Sequence, residues 1–134
     1  MLFKPNPSSG LPIYLQLMEQ VKYAIETGAL RAGEELPGIR RVAVELVVNP
    51  NTVAKAYREL EHEGLIELRQ GAGAFVVRSA RARVVTQKLR NAQPVLSALV
   101  AKLGEIGLSQ EEMRRWFEAE LMALDQKGSG DRKR

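Results

Sequence analysis

Tyr14, Leu17, Met18, Val21 and Ile25 recur at i, i+3, i+4, i+7 and i+11. That spacing places one apolar face along a helix, which Pro12 opens and Gly28 closes. Gly33 to Pro37 reads as a turn that carries a short strand at Glu35–Leu36. Ile39, Val42, Ala43 and Leu46 predict a second, shorter helix that breaks at Val47–Asn49. Asn49 then suits a cap and Pro50 the first helical position. The third predicted helix buries Val53, Ala56, Tyr57 and Leu60 and stops at Gly64. Two apolar stretches follow, Leu65–Arg69 and Ala74–Arg78, joined by Gln70-Gly71-Ala72-Gly73. They predict a β-hairpin. Three helices, with a tight turn between the second and third, and then a hairpin make the order of a winged helix-turn-helix.

Residues 79–127 read as purely helical. Val85, Leu89, Ala92, Leu96, Leu99 and Leu103 are spaced 4, 3, 4, 3 and 4, an unbroken heptad seam. Pro94 predicts a kink or a fresh helix start within it. Gly104 and Gly107 mark a break. Ser109 and Glu112 form a capping-box pattern, and the last helix carries Met113, Trp116, Phe117, Leu121 and Leu124 on one side. The predicted organisation is a flexible N-terminal arm over 1–10 and a winged domain over 11–78. A two-helix region over 79–127 and a disordered basic tail over 128–134 complete it. The fold class is mainly α with a small β-hairpin.

Composition narrows the function classes. Of the 134 residues, 45% are apolar, enough for a packed core, and no apolar run is long enough to span a bilayer. The chain has no Cys and one His, His62. That argues against a disulfide scaffold, a thiolate metal site or a multi-histidine metal site, so no metal and no cofactor is expected. The residues predict a cytoplasmic protein with no membrane association. Lys and Arg exceed Asp and Glu by 20 to 16, giving +4. The excess lies in residues 79–134, whereas residues 1–78 balance nine Lys/Arg against nine Glu. Bulk charge alone therefore says little about an anionic partner.

Local placement says more. From Arg40 to Arg58 there are four positive residues and one acid, Glu45. The second helix of a helix-turn-helix presents its N-terminal residues to the major groove. Asn51, Thr52 and Lys55 lie there, opposite Val53, Tyr57 and Leu60. Asn pairs bidentately with adenine, Lys reaches guanine, and Thr meets the thymine methyl. Arg40 and Arg41 sit on the preceding helix, which such a fold lays against the DNA backbone. Any capped helix, however, carries short polar residues at its start, and any tight hairpin uses glycine. The order of the parts is more specific than each part.

Several stretches together resemble the DNA-binding domain of the GntR family of bacterial transcription regulators. They are Pro12-Ile13-Tyr14-Leu15-Gln16-Leu17, Leu36-Pro37 with Arg40, Asn51-Thr52-Val53, Tyr57-Arg58-Glu59-Leu60-Glu61, and Glu63-Gly64-Leu65-Ile66. The last is Arg69-Gln70-Gly71-x-Gly73-x-Phe75-Val76. The short two-helix tail with Gly107-Leu108-Ser109 resembles the YtrA subfamily, whose members dimerise through such helices and often control transporter operons. The resemblance implies DNA contacts at Arg40, Asn51, Thr52, Lys55, Gly71 and Gly73. Arg41, Arg58 and Arg69 read as phosphate contacts or as solvated charge. Three departures stand out. Gly38 replaces a usual Ser, Val47 replaces a usual turn Gly, and Ala72 and Ala74 replace polar wing residues. The last change predicts a wing tip that contacts the minor groove through its backbone only.

The remaining residues take plainer readings. His62 reads as a surface residue. Glu59, Glu61, Glu63 and Glu67 read as a solvated face. Arg78, Arg81 and Arg83 read as a basic junction. Val85, Leu89, Leu96, Leu99, Leu103, Met113, Trp116 and Phe117 read as a dimer interface, with Trp116 the candidate place for a small-molecule effector. The expectation is therefore a homodimeric repressor on a pseudo-palindromic operator in double-stranded DNA. An alternative keeps the winged fold as a protein-docking module, favoured by the zero net charge of residues 1–78. No nucleophile–base pairing is visible, so no enzyme is expected.

Overall fold

The computed structural model describes the backbone of residues 2–132 and the side chains of residues 2–128. After a short 3-10 turn at Pro7–Ser9 come α1 (Ile13–Thr27), α2 (Ile39–Leu46), α3 (Pro50–His62), β1 (Ile66–Arg69), β2 (Gly73–Val76), α4 (Ala80–Ile106) and α5 (Gln110–Arg132). The chain divides into two compact units, the first ending at Leu89 and the second beginning at Arg90.

The first unit is built around the apolar faces that the periodicity predicts. Leu17, Val21 and Ile25 of α1, Val42 of α2, and Val53, Tyr57 and Leu60 of α3 are buried together, with Ile66 and Val76 closing the core from the hairpin. Ala80 and Val84 of α4 are buried in the same core. This is why the division falls after Leu89 and not at the expected 78/79 boundary. Lys22, Glu63 and Gln87 add a polar tie there. Glu63 Oε1 accepts from Lys22 Nζ at 3.1 Å and from Gln87 Nε2 at 2.8 Å.

β1 and β2 pair antiparallel from Ile66↔Val76 to Arg69↔Gly73. The outer edge of β2 is covered by residues 33–36. Leu36 N–H donates to the Ala74 carbonyl at 2.8 Å, and Val76 N–H donates to the Glu34 carbonyl at 2.9 Å. The strand expected at Glu35–Leu36 is thus a single bridge, Glu35↔Phe75, that blunts an exposed edge.

The expected flexible arm is instead held down. Phe3 is buried in the core. The Gln20 side chain both accepts the Lys4 N–H and donates to the Lys4 carbonyl, each at 2.9 Å. One turn earlier, buried Gln16 accepts the Asn6 N–H at 2.6 Å, and its amide nitrogen lies within 3.0 Å of the Asn6 carbonyl, Ser9 Oγ and the Leu11 carbonyl. A buried amide must find partners, and the arm supplies them. Local composition favours a loose arm, but these contacts across the sequence decide the outcome.

In the second unit α4 runs unbroken through Pro94, with no fresh helix start there. Proline removes one backbone donor, and the side chains around it are exposed, so the freed carbonyl is open to water. The helix ends with paired bonds from Gly107 N–H to the Gly104 carbonyl and from Leu108 N–H to the Leu103 carbonyl, both 3.0 Å. Ser109 and Glu112 then close the predicted capping box in both directions, at 3.1 and 3.2 Å. The Ser109 amide, and then its hydroxyl, hold the Glu112 carboxyl below its ordinary pKa. α5 continues to Arg132, past the expected end at Lys127. Extending a formed helix needs no new nucleus, so Gly128 alone does not stop it. Lys133 and Arg134 of the expected tail lie outside the described residues.

No side chain from Arg90 to Gly128 is buried. Leu96 is 51% exposed, Leu99 43%, Trp116 63% and Phe117 51%. Val85 and Leu89 are exposed on the earlier part of α4, while Leu103 and Met113 are half-buried near the α4–α5 turn.

Candidate nucleic-acid interface

α3 owes its orientation to its buried face. With Val53, Ala56, Tyr57 and Leu60 inside, Asn51, Lys55 and Arg58 are left exposed and Thr52 half-buried. Asn49 caps the helix by accepting the Asn51 N–H at 2.8 Å, and Pro50 follows at the first position. The Tyr57 phenol reaches back to the Pro37 carbonyl at 2.5 Å, fixing α3 against the segment that leads into α2. Burial pushes this phenol well above its ordinary pKa.

Gly38 stands at the N-cap of α2 and provides no side-chain cap. This matches the hydroxyl lost at that position. Its first turn holds Arg40 and Arg41 and no acid. A helix N-terminus is already the positive end of the macrodipole, so two arginines there stand against the usual preference. An anion placed at this end relieves both effects. Arg41 leans on Glu45 one turn along at 3.0 Å, a solvent-exposed pair of small energetic weight. Arg40 forms none of the ion pairs of the described residues.

The turn between α2 and α3 carries strain. Val47 has φ 54°, and it is the one non-glycine with positive φ among the described residues. Its N–H and that of Val48 cap α2 through the Val44 and Ala43 carbonyls. A β-branched residue rarely adopts this left-handed conformation.

At the wing, Ala72 N–H donates to the Arg69 carbonyl at 3.0 Å, and Gly71 and Gly73 take φ 78° and 121°. A Cβ on Gly73 would collide with the Glu35 carboxylate. Ala74 is buried and faces the core, so of the two wing alanines only Ala72 lies at the tip. Arg69, at the end of β1, is exposed on the wing. Its guanidinium lies 4.3 Å from the centre of the Phe75 ring and 3.4 Å from Glu67.

Between the start of α2 and the wing runs an open groove of about 1100 Å³. It brings Arg40, Arg41, Arg69, Gly71 and Gly73 together, with the buried Tyr57 among its walls. Asn51, Thr52, Lys55 and Arg58 do not line it and lie along α3 instead. Two aromatic rings sit beneath cations of this face. Phe75 carries Arg69, and Tyr14 of α1 lies under Lys55, whose ammonium is 4.1 Å from the ring centre. Tyr14 reads from sequence as part of the apolar face of α1 and Phe75 as a strand residue, and nothing local marks them as partners of a cation.

Comparison with known proteins places this geometry. The model of the bacterial regulatory proteins of the gntR family matches residues 13–76. The HTH-type transcriptional repressor YtrA of Bacillus subtilis (strain 168) is 34% identical over 123 residues, 92% of this chain and 93% of that protein. A solved transcriptional regulator from Oenococcus oeni is similar with a TM-score of 0.70 at 33% identity, over 87% of this chain and 96% of that chain. AraR(DBD), solved in complex with operator ORX1, matches with a TM-score of 0.50 at 28% identity, over 56% of this chain and 93% of its own. The similarity to YtrA covers both the winged unit and the two C-terminal helices, and the chain belongs to the gntR family of bacterial regulatory proteins, DNA-binding transcription regulators with a winged helix-turn-helix.

Proposed function

We propose that the chain is a homodimeric repressor that reads a pseudo-palindromic operator, with α3 in the major groove. The observation that carries this reading is the acid-free start of α2, where Arg40 and Arg41 face a groove shared with Arg69 of the wing. Phosphate is the anion such a site fits, since helix-end N–H groups and guanidinium groups both hold its oxygens. Arg40, Arg41 and Arg69 then hold the backbone, with Gly71 and Gly73 letting the wing approach closely. Asn51, Thr52 and Lys55 face base edges, and Arg58 extends the basic face along α3. AraR(DBD), solved on its operator, supports the assignment of DNA as partner, and the repressor YtrA supports the sign of regulation.

The dimer rests on the second unit. Leu96, Leu99, Trp116 and Phe117 leave apolar surface open on both helices, and a second copy presenting the same residues covers it with two-fold symmetry. Leu103 and Met113 extend that face, and Val85 and Leu89, on the part of α4 that belongs to the first unit, add exposed apolar surface of their own. An effector at Trp116 would need the second copy to enclose it, because the indole is 63% exposed. Two-fold symmetry places half-sites about one helical turn of DNA apart, or a multiple of it.

The test is fluorescence anisotropy on the duplex upstream of this protein's own gene, against a scrambled duplex, at two salt concentrations. Tight, salt-sensitive binding to the native duplex alone is the expected result. Arg40→Ala should weaken both duplexes and lower the salt slope by about one. Lys55→Ala should weaken chiefly the native one. Equal, salt-insensitive binding by wild type and both variants would overturn the reading in favour of a docking module.

A further inference from the structure

Lys55 is one of the exposed cations of α3, yet none of the ion pairs of the described residues includes it. Four cations do have carboxylate partners among the described residues, one of them Arg69 with Glu67. Lys22 meets Glu63, Arg41 meets Glu45, and Lys88 meets Glu26. The Lys55 ammonium instead rests 4.1 Å above the ring of Tyr14, the second residue of α1. Tyr14 is half-buried and packs against the core of the first unit. Its place on α1 is held from the N-terminal side as well, because Gln16 binds Asn6, Ser9 and Leu11 just before it.

The two kinds of partner do different things to a cation. A carboxylate orients a lysine and also cancels its field, so an incoming phosphate or base must displace a competitor. An aromatic face attracts the ammonium through its quadrupole and leaves the full positive charge in place. A seated lysine has also lost part of its rotamer freedom before any ligand arrives, which favours binding by preorganisation. Lys55 on Tyr14 is thus oriented and still charged.

We infer that Tyr14 is a positioning residue for DNA recognition, whose ring holds the Lys55 ammonium in place on the reading face of α3. The inference rests on the DNA-reading function proposed above. The ring is the part that matters, and the phenol oxygen has no role in it.

The experiment uses the full chain and the duplex that wild type enriches from a randomised library, with its scrambled counterpart as control. Tyr14→Phe and Tyr14→Trp keep a ring, and Tyr14→Leu removes it. Lys55→Ala is made alone and with each. Tyr14→Leu should weaken the enriched duplex by roughly three- to tenfold, the scale of a cation–π contact, and leave the scrambled duplex unchanged. Tyr14→Phe and Tyr14→Trp should bind as wild type. In the Lys55→Ala background Tyr14→Leu should cause no further loss. Without DNA, the Lys55 ε-protons should show ring-current NMR shifts that Tyr14→Leu abolishes and Tyr14→Phe retains, which reports the seat independently of affinity. Equal losses in Tyr14→Phe and Tyr14→Leu would overturn the inference, and so would an undiminished loss in the Lys55→Ala background. A wild-type chain that enriches no duplex would overturn the DNA-reading function itself. That outcome is told apart from the others because in them wild type still selects a sequence.

Discussion

The Tyr57 phenol donates a 2.5 Å hydrogen bond to the Pro37 carbonyl, and so ties the middle of α3 to the turn that launches α2. One residue thereby sets the two halves of the helix-turn-helix relative to each other. The ring fills the core and the hydroxyl fixes the entry of the chain into α2. Arg40 follows three residues after Pro37, so its position depends on this bond.

Tyr57→Phe should therefore lower stability by about 1–2 kcal/mol, the scale of a lost hydrogen bond with its carbonyl left without that partner. It should also change the pH dependence. Burial raises the folded-state pKa of Tyr57 above its ordinary value of 10.0. The folded chain thus keeps a proton that the unfolded chain releases. This contribution is full below about pH 10 and is lost as pH rises beyond it. Urea melts at about pH 9 and about pH 11 should show a steeper alkaline loss in wild type than in Tyr57→Phe. Parallel losses would remove Tyr57 as the cause.

Val47→Gly should stabilise the first unit. The left-handed conformation costs a non-glycine residue about 1–2 kcal/mol, and glycine returns about 0.5–1 kcal/mol of that through its freer unfolded chain. The net gain should be of order 0.5–1 kcal/mol, read as an increase in urea midpoint at unchanged slope. The Val47 side chain is 90% exposed, so little packing is lost. A destabilised variant would mean that this side chain is covered in the working assembly.

Gly73→Ala should act in the opposite direction. The residue sits at φ 121° with the Glu35 carboxylate where a Cβ would go. Glu35 can swing away, but the backbone cannot adopt this conformation cheaply with a side chain. A loss of about 1–3 kcal/mol is expected. The hairpin should shift with it, carrying Arg69 out of the groove and weakening DNA binding beyond what the stability loss explains. Unchanged anisotropy titrations in a folded variant would detach the wing from binding.

Leu96→Glu together with Leu99→Glu should yield a monomer in sedimentation velocity with the first unit intact by circular dichroism and thermal melting. Both side chains are exposed within one copy, at 51% and 43%, so a charge there does little harm to the single chain. It should be costly only where a second copy covers it. Operator affinity should fall with loss of the second half-site. A dimer that persists would place the interface elsewhere.

Local signals carried much of the fold. Apolar spacing located α1, α2 and α3, Asn49-Pro50 and Ser109 with Glu112 located two helix starts, and Gly71 and Gly73 located the hairpin turn. The candidate reading face followed from the same periodicity, because burying Val53, Tyr57 and Leu60 leaves Asn51 and Lys55 outside. These features depend on residues a few positions apart, whose geometry the backbone itself imposes.

What tertiary structure decided has the opposite character. The arm at residues 3–11 is ordered because Phe3 finds the core and Gln16 needs partners, which composition rich in Pro, Ser and Gly conceals. The first unit extends to Leu89 because Ala80 and Val84 are buried beneath the winged fold, not because the residues at 78/79 differ in kind. Tyr14 beneath Lys55 and Phe75 beneath Arg69 are pairings between separate elements. A periodic pattern says which side of a helix turns inward. It does not say which neighbour waits there, because that depends on how rigid elements pack in three dimensions, and only their packing brought an aromatic face under each of these two cations.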